Sequence, residues 1–159
     1  MTLRPVDICH AHPGVEFPAG EAERMIHALD EHPDFHCPPG QLSLAIVTDA
    51  EIARVHADFL QDPTPTDGIT FPGDPEEDFA GEILVSADTA CRYARENNVD
   101  FARELTLYLT HGFLHLCGWD DRSPDQRKAM KETEKIALRW LDEKNVIPSF
   151  TWKGTLPPL

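Results

Sequence analysis

The chain has 159 residues, of which 41% are hydrophobic and 26% charged, and a formal net charge of −14. This length predicts one domain over residues 1–159 with a single core, and the composition excludes a disordered chain. No apolar run is long enough for a membrane span, and residues 1–10 contain no apolar signal segment. We therefore expect a cytoplasmic protein with no membrane partner, whose scattered cysteines are reduced thiols.

The first half of the chain predicts alternating strands and helices. Alternation begins a strand in residues 6–15, and helical spacing of apolar residues predicts an amphipathic helix over residues 20–32. Residues 42–46 alternate again, as in a strand that is half covered by helices. A capping box from Thr48 to Glu51 then begins a helix whose predicted common face consists of Ile52, Val55, His56 and Phe59.

The second half predicts a strand at residues 79–86, followed by a helix at 87–98 that Ser86 caps. Residues 101–116 are apolar on most sides, which indicates a helix buried at the centre of the fold. Ser123 caps a last helix that extends to about residue 144, with core candidates Met130, Ile136 and Leu141. Two proline-rich segments predict irregular structure: a loop leading through a short extended segment at 62–75, and the tail at 148–159.

Metal-ligand spacing occurs in the segment T-H-G-F-L-H-L-C-G-W-D-D-R. His111 and His115 are four residues apart on the predicted central helix, so both imidazoles face one metal ion. Gly118 can enter the left-handed region, end the helix and return the chain toward the histidines. An acidic pair follows, and Asp121 occupies the place of the third histidine in H-x-x-x-H-x-x-G-x-x-H zinc sites. We predict that His111, His115 and Asp121 bind a metal ion.

Three protein ligands leave a fourth position open, which is typical of catalytic zinc sites. We expect one zinc ion per chain, although imidazole and carboxylate also suit nickel, cobalt or manganese. The alternative is a pair of buried histidines that are hydrogen-bonded without a metal. Gly112 stands where H-E-x-x-H proteases carry their glutamate base, so a metalloprotease is disfavoured. We interpret His10 and His12, which alternate on the first strand, as surface histidines.

The residues of this segment resemble the YbeY family of single-domain metalloproteins, known as endoribonucleases and rRNA maturation factors. The family motif H-G-x-L-H-L-x-G-Y-D-H is matched at His111, Gly112, Leu114, His115, Leu116, Gly118 and Asp120, with Trp119 in place of the tyrosine. The family signature P-T-D-V-L-S-F-P resembles residues 65–72, and G-D-I-x-I-S resembles residues 81–86. The resemblance runs from about residue 42 to residue 138.

The resemblance implies an α+β domain with a small mixed β-sheet, packed helices and a metal site on the buried central helix. It implies a metal-dependent endoribonuclease that acts in 16S rRNA maturation and ribosome quality control. Its partners would be rRNA, the small ribosomal subunit and ribosome-associated proteins. The catalytic residues would be the metal ligands His111, His115 and Asp121, with Thr70 or a substrate group completing the pocket.

Two departures from the family pattern leave an alternative open. Asp121 replaces the family's third histidine, and the arginine that usually precedes P-T-D is missing near Leu60. The charge of −14 also disfavours nonspecific binding to a phosphate backbone. A non-catalytic, metal-containing ribosome-assembly factor would fit these features. The basic residues after the motif fit either a solvated helix face or a phosphate track: Arg122, Arg127, Lys128, Lys131, Lys135 and Arg139.

Overall fold

The computed structural model of the chain describes residues 3–10, 12–60 and 67–155. Its strands are β1 (Val6–His10), β2 (Val15–Glu16), β3 (Gln41–Val47), β4 (Gly68–Asp74), β5 (Phe79–Ser86) and β6 (Thr151–Trp152). Its α-helices are α1 (Ala19–Asp30), α2 (Asp49–Leu60), α3 (Ala87–Asn97), α4 (Phe101–Leu116) and α5 (Pro124–Glu143).

The main sheet is mixed and has four strands in the order β1-β3-β5-β4. β1, β3 and β5 run parallel to one another, and β4 pairs antiparallel with β5 at the edge. The larger core joins one face of the sheet to α1, α4 and α5, and a smaller core joins the other face to α2. The predicted α+β class is therefore confirmed for the described residues. That residues 1–159 form one domain stays a prediction.

Helix α4 lies at the centre of the larger core. Leu105, Leu109 and Phe113 are fully buried, and eight of the sixteen residues of α4 are buried. Because packing surrounds the helix on most sides, its position relative to the sheet is fixed. The prediction that the two histidines stand on a buried central helix is confirmed.

The helix starts follow the predicted capping signals. The Ser86 hydroxyl accepts the Thr89 N–H at the start of α3. At the start of α5, Ser123 and Gln126 form a reciprocal capping box. These bonds satisfy backbone donors that the first turn of a helix leaves without intrahelical partners, and so they fix where each helix begins.

The strand predictions at both ends of the chain and at residues 62–75 are partly wrong. The first extended segment divides into β1 and β2, and β2 pairs with β6 in the tail predicted to be irregular. The predicted loop contains the seven-residue strand β4, which tolerates Pro72 because an edge strand has one side without a strand partner. Residues 61–66, with the first two positions of the P-T-D signature, lie outside the described residues.

Burial also corrects three side-chain predictions. Ile136, expected in the core with Met130 and Leu141, is 46% exposed, and Phe59 is 68% exposed although Ile52 on the same helix is fully buried. His12 is a buried residue and not a surface one, and it lies 2.8 Å from a carboxylate oxygen of Asp88. No helix in the described ranges is long and apolar enough to cross a membrane.

Candidate metal centre

Three side chains converge where α4 ends and the chain turns back. The Nε2 atoms of His111 and His115 lie 3.0 Å apart. The Oδ2 atom of Asp121 lies 3.4 Å from each of these nitrogens. All three side chains are partly exposed, so a metal ion can reach them from solvent. The predicted group is therefore brought together and could hold a metal ion.

The spacing of these atoms fits a tetrahedral metal ion. With zinc–ligand distances of about 2.0–2.1 Å and tetrahedral angles, two ligand atoms lie about 3.3–3.4 Å apart. Both distances to the Asp121 oxygen agree with this value, and the distance between the nitrogens is slightly shorter. Imidazole and carboxylate are ligands that zinc accepts. The donor chemistry and the spacing therefore both suit the metal that the sequence predicts.

Glu134 on α5 fixes the orientation of the first histidine. Its Oε2 atom lies 3.0 Å from Nδ1 of His111. Because a carboxylate only accepts hydrogen bonds, Nδ1 carries the proton and Nε2 keeps its lone pair for a metal. The Glu134 side chain is only 14% exposed, so its position is well defined by packing. This contact makes Glu134 part of the site.

The charge around His111 also changes its protonation. Burial lowers the pKa of His111, but the hydrogen bond and charge of Glu134, with the charges of Asp67 and Asp121, outweigh this effect. The pKa of His111 is therefore raised above its ordinary value of 6.5. A proton and a metal ion compete for the same Nε2 lone pair, so the raised pKa strengthens the competition from the proton as the pH falls.

The turn after α4 positions the aspartate. Gly118 has a φ of 106°, in the left-handed region that glycine enters without strain, and its N–H donates to the carbonyl of His115. Asp120 Oδ1 then accepts the N–H of Asp121 at 2.8 Å. Asp120 therefore holds the backbone of the loop that carries Asp121. The turn predicted at Gly118 is confirmed.

Gly112 allows α4 to lie close to the sheet. A Cβ atom at this position would come within 2.5 Å of Ile83 Cγ2 and 3.0 Å of Thr70 Oγ1. A larger side chain could therefore not be accommodated without moving the helix away from β4 and β5. The glutamate base of H-E-x-x-H proteases has no room here, which gives a physical reason why this class is disfavoured.

The metal pocket, as we name the cavity around the three residues, has a volume of about 600 Å³. Thr70 and Tyr108 line its sides together with Asp67, the third residue of the P-T-D signature. Arg122 lies at the same pocket and is 87% exposed. The pocket thus offers a polar surface next to the candidate ligands, with room for a group larger than water.

The sequence did not predict the role of Glu134. It lies 23 residues after His111, on a different helix, and no local spacing relates the two. A usable signal was its place in α5, one turn after the buried Met130, because residues four apart share a helix face. That pattern predicts a carboxylate directed toward the protein interior.

Comparison with known proteins finds relatives that carry the same family name. The YbeY family profile, described as Endoribonuclease YbeY, matches residues 18–142. A Protochlamydia amoebophila protein named Endoribonuclease YbeY is 42% identical over 98 residues, which are 59% of this chain and 65% of that protein. A Syntrophotalea carbinolica protein of the same name is 40% identical over 112 residues, which are 66% of this chain and 75% of that protein. The match thus spans just under two thirds of the Protochlamydia relative.

A solved structure is also similar. The solution structure of a Thermotoga maritima protein matches with a TM-score of 0.62 and 28% identity, over 88% of this chain and 91% of that one. The fold and the site define an α+β protein with a solvent-accessible two-histidine, one-aspartate group suited to a metal ion. Since the family profile matches more than half of the chain, the chain belongs to the YbeY family.

Proposed function

We propose that this chain is a metal-dependent endoribonuclease that cleaves a phosphodiester bond in ribosomal RNA. The observation that carries the proposal is the triangle of ligand atoms from His111, His115 and Asp121 beside an open polar pocket. Membership of a family described as endoribonucleases supports the choice of RNA as substrate. The chemistry of the donor set supports the choice of a hydrolytic metal.

Zinc is the proposed metal, one ion per chain, held by His111, His115 and Asp121. When bound, it supplies Lewis-acid polarisation of a phosphoryl oxygen and a water nucleophile of lowered pKa. The protein residues position these groups. Glu134 orients the imidazole of His111 through Nδ1, and Asp120 holds the backbone that carries Asp121. Nickel, cobalt and manganese are alternatives for the same donor set.

The proposed setting is maturation of 16S rRNA and ribosome quality control in the cytoplasm. The partners would be rRNA, the small ribosomal subunit and proteins associated with it. A single-stranded rRNA segment fits a pocket that is open to solvent, because its phosphates and bases are accessible without unwinding a duplex.

The experiment is a time course of cleavage of a 16S rRNA fragment by zinc-loaded protein. His115→Ala removes one ligand and should reduce the cleavage rate by at least about a hundredfold, a loss within the range that catalytic groups contribute. His36→Ala is the matched control, because His36 is exposed and does not line the metal pocket. Equal product with wild type and His115→Ala, or product with neither, would exclude the nuclease.

A second function is favoured by the two departures from the family pattern. Asp121 as third ligand and the lack of an arginine near Leu60 suit a non-catalytic assembly factor that keeps the metal for stability. In that case zinc should raise the melting temperature of wild type, while neither wild type nor His115→Ala cleaves RNA. Binding of small ribosomal subunits by wild-type protein in a sedimentation assay would then support this role.

A further inference from the structure

A second cavity adjoins the metal pocket along α4. This flanking pocket has a volume of about 710 Å³ and shares Asp67, Tyr108 and His111 with the metal pocket. Its other lining residues come from α4 and from α3 and α5, both of which pack against α4. A linear molecule bound at the candidate metal ligands can therefore extend directly from the metal pocket into the flanking pocket.

The flanking pocket combines two cationic side chains with an accessible aromatic ring. Arg92 on α3 forms an ion pair with Asp49 and donates to the Thr89 hydroxyl, so its positive charge is held in place. Lys131 on α5 is exposed at the same pocket. Tyr93 is 47% exposed there, an unusual exposure for a large aromatic side chain.

The carboxylates of the pocket are already engaged in protein contacts. Glu134 accepts from His111, and Glu104 forms a hydrogen bond with Tyr108. Asp67 Oδ1 accepts the N–H of Gly68. Each of these carboxylates has a local hydrogen-bond donor but keeps its charge, so the exposed Lys131 is the group that a phosphate would approach.

We propose that the flanking pocket binds the nucleotide next to the scissile phosphate, with Lys131 contacting its phosphate and Tyr93 stacking on its base. The combination of a cation and an exposed ring is the chemistry by which proteins hold single-stranded nucleic acid. Tyr93 is on α3 and Lys131 is on α5, so the base and the phosphate of one nucleotide would contact different helices. This inference rests on the proposed nuclease function and names the part of the substrate that lies beyond the metal.

The test uses single-turnover cleavage of a labelled single-stranded RNA by zinc-loaded protein at increasing protein concentration. Lys131→Ala should raise the half-saturating concentration about three- to tenfold and lower its salt dependence by about 0.7 logarithmic units per decade of salt. Tyr93→Ala should raise it about tenfold, whereas Tyr93→Phe keeps the stacking surface and should behave as wild type. The maximal rate should change less than about twofold in each variant, because within the described residues neither side chain forms a hydrogen bond or ion pair with His111, His115 or Asp121.

Lys128→Ala is the matched control, since Lys128 is exposed on the same helix but lines neither pocket. If Lys128→Ala and Lys131→Ala weaken RNA binding equally, RNA is held by a general basic surface, and the proposed role of the flanking pocket is wrong. If Lys131→Ala and Tyr93→Ala cleave RNA with the same saturation curve as wild type, the flanking pocket does not bind the nucleotide, and the nuclease function is unaffected. A wild-type protein that cleaves no RNA would overturn both. Thermal melts of each variant establish that the fold is retained.

Discussion

At the scale of single residues, Glu134 determines how well a metal ion competes with a proton for His111. Its carboxylate orients the imidazole and also raises the pKa of His111 against the opposite effect of burial. The same contact therefore has two consequences. It favours the tautomer that binds metal at high pH, and it favours the proton over the metal at low pH.

Glu134→Gln should reduce zinc affinity about tenfold at pH 8, because outer partners of metal ligands contribute about ten- to a hundredfold. The amide cannot raise the pKa of His111, so in the variant the imidazole loses its proton at a lower pH. Wild-type affinity should fall steeply as pH drops through the raised pKa, and the difference between the proteins should narrow near pH 6. Zinc competition with a chromophoric chelator, measured from pH 6 to pH 8, gives the zinc affinity of each protein and its dependence on pH.

Glu132→Gln is the matched control for this prediction, because Glu132 is exposed on the same helix. It should leave zinc affinity unchanged at every pH. Identical affinity curves for Glu134→Gln and wild type would mean that Glu134 does not act on the metal site.

Asp121 sets the charge of the site when a metal is bound. Zinc with two neutral imidazoles and one carboxylate has a net charge of about +1, against about +2 with three imidazoles. Asp121→His should therefore tighten zinc binding or lower the pH of half-maximal RNA cleavage by on the order of one unit. Asp125→His, in the exposed first turn of α5, is the control. If both the pH–rate profile and the zinc titration are unchanged, Asp121 is not a metal ligand.

The site residues that could be predicted from sequence are those that local geometry connects. His111 and His115 share a helix face by their spacing, and Gly118 returns the chain to place Asp121 beside them. Glu134 could not be found in this way, because its distance to His111 depends on how α5 packs against α4. His12 was misjudged for the same reason, since its partner Asp88 lies 76 residues away.

At the scale of elements, the site depends on the close approach of α4 to the sheet. Gly112→Ala adds a methyl group that meets Ile83 Cγ2 at 2.5 Å, which forces the helix or the strand to move. Overpacking of this kind costs about 1–3 kcal/mol, more than the gain of up to about 1 kcal/mol from replacing glycine in a helix. We expect a lower free energy of unfolding and weaker zinc binding, measured by urea denaturation and zinc titration.

Gly20→Ala in α1 is the matched substitution. A Cβ there meets only Arg24 Nη1, at 3.6 Å, which is an ordinary contact. This variant should be as stable as wild type or up to about 1 kcal/mol more stable, because the helix propensity term acts alone. If Gly112→Ala behaved in the same way, the packing of α4 on the sheet would not depend on the glycine.

The elements themselves were predicted where the chain carries its own signals. Capping residues and apolar spacing located α3, α4 and α5 within a few residues. The two-residue strands β2 and β6 have no such signal, because each exists only through its pairing with the other. Strand β4 was not predicted because it contains Pro72, which a strand tolerates at the edge of a sheet.

At the scale of the whole molecule, one carboxylate links the elements on one side of the sheet. Asp49, at the start of α2, accepts from the hydroxyls of Ser86 and Thr89 and forms an ion pair with Arg92. Its own N–H donates to Asp88, the residue that contacts the buried His12. This network joins the end of β5 to the starts of α2 and α3, so it stabilises the arrangement of three elements at once.

The network gives stability a pH dependence at acid pH. Burial raises the pKa of Asp49, but the hydrogen bonds from Arg92, Ser86 and Thr89 outweigh it and lower the pKa below its ordinary value of 3.8. A group whose pKa is lower in the folded than in the unfolded state stabilises the fold fully above the unfolded value. That contribution is lost as the pH falls from about 3.8 through the lower folded value.

Asp49→Asn should therefore lower the free energy of unfolding by about 1–3 kcal/mol at pH 7, the range for a hydrogen bond to a charged partner. The difference from wild type should shrink as the pH falls from 3.8 through the lower folded value, because wild-type Asp49 takes up its proton over that range. Urea denaturation at pH 7 and pH 3 measures both values. Glu51→Gln is the control, because Glu51 forms an exposed ion pair with Arg54, and its loss should change stability by less than about 1 kcal/mol. A loss for Asp49→Asn that is equal at both pH values would show that the charge of Asp49 is not what joins these elements.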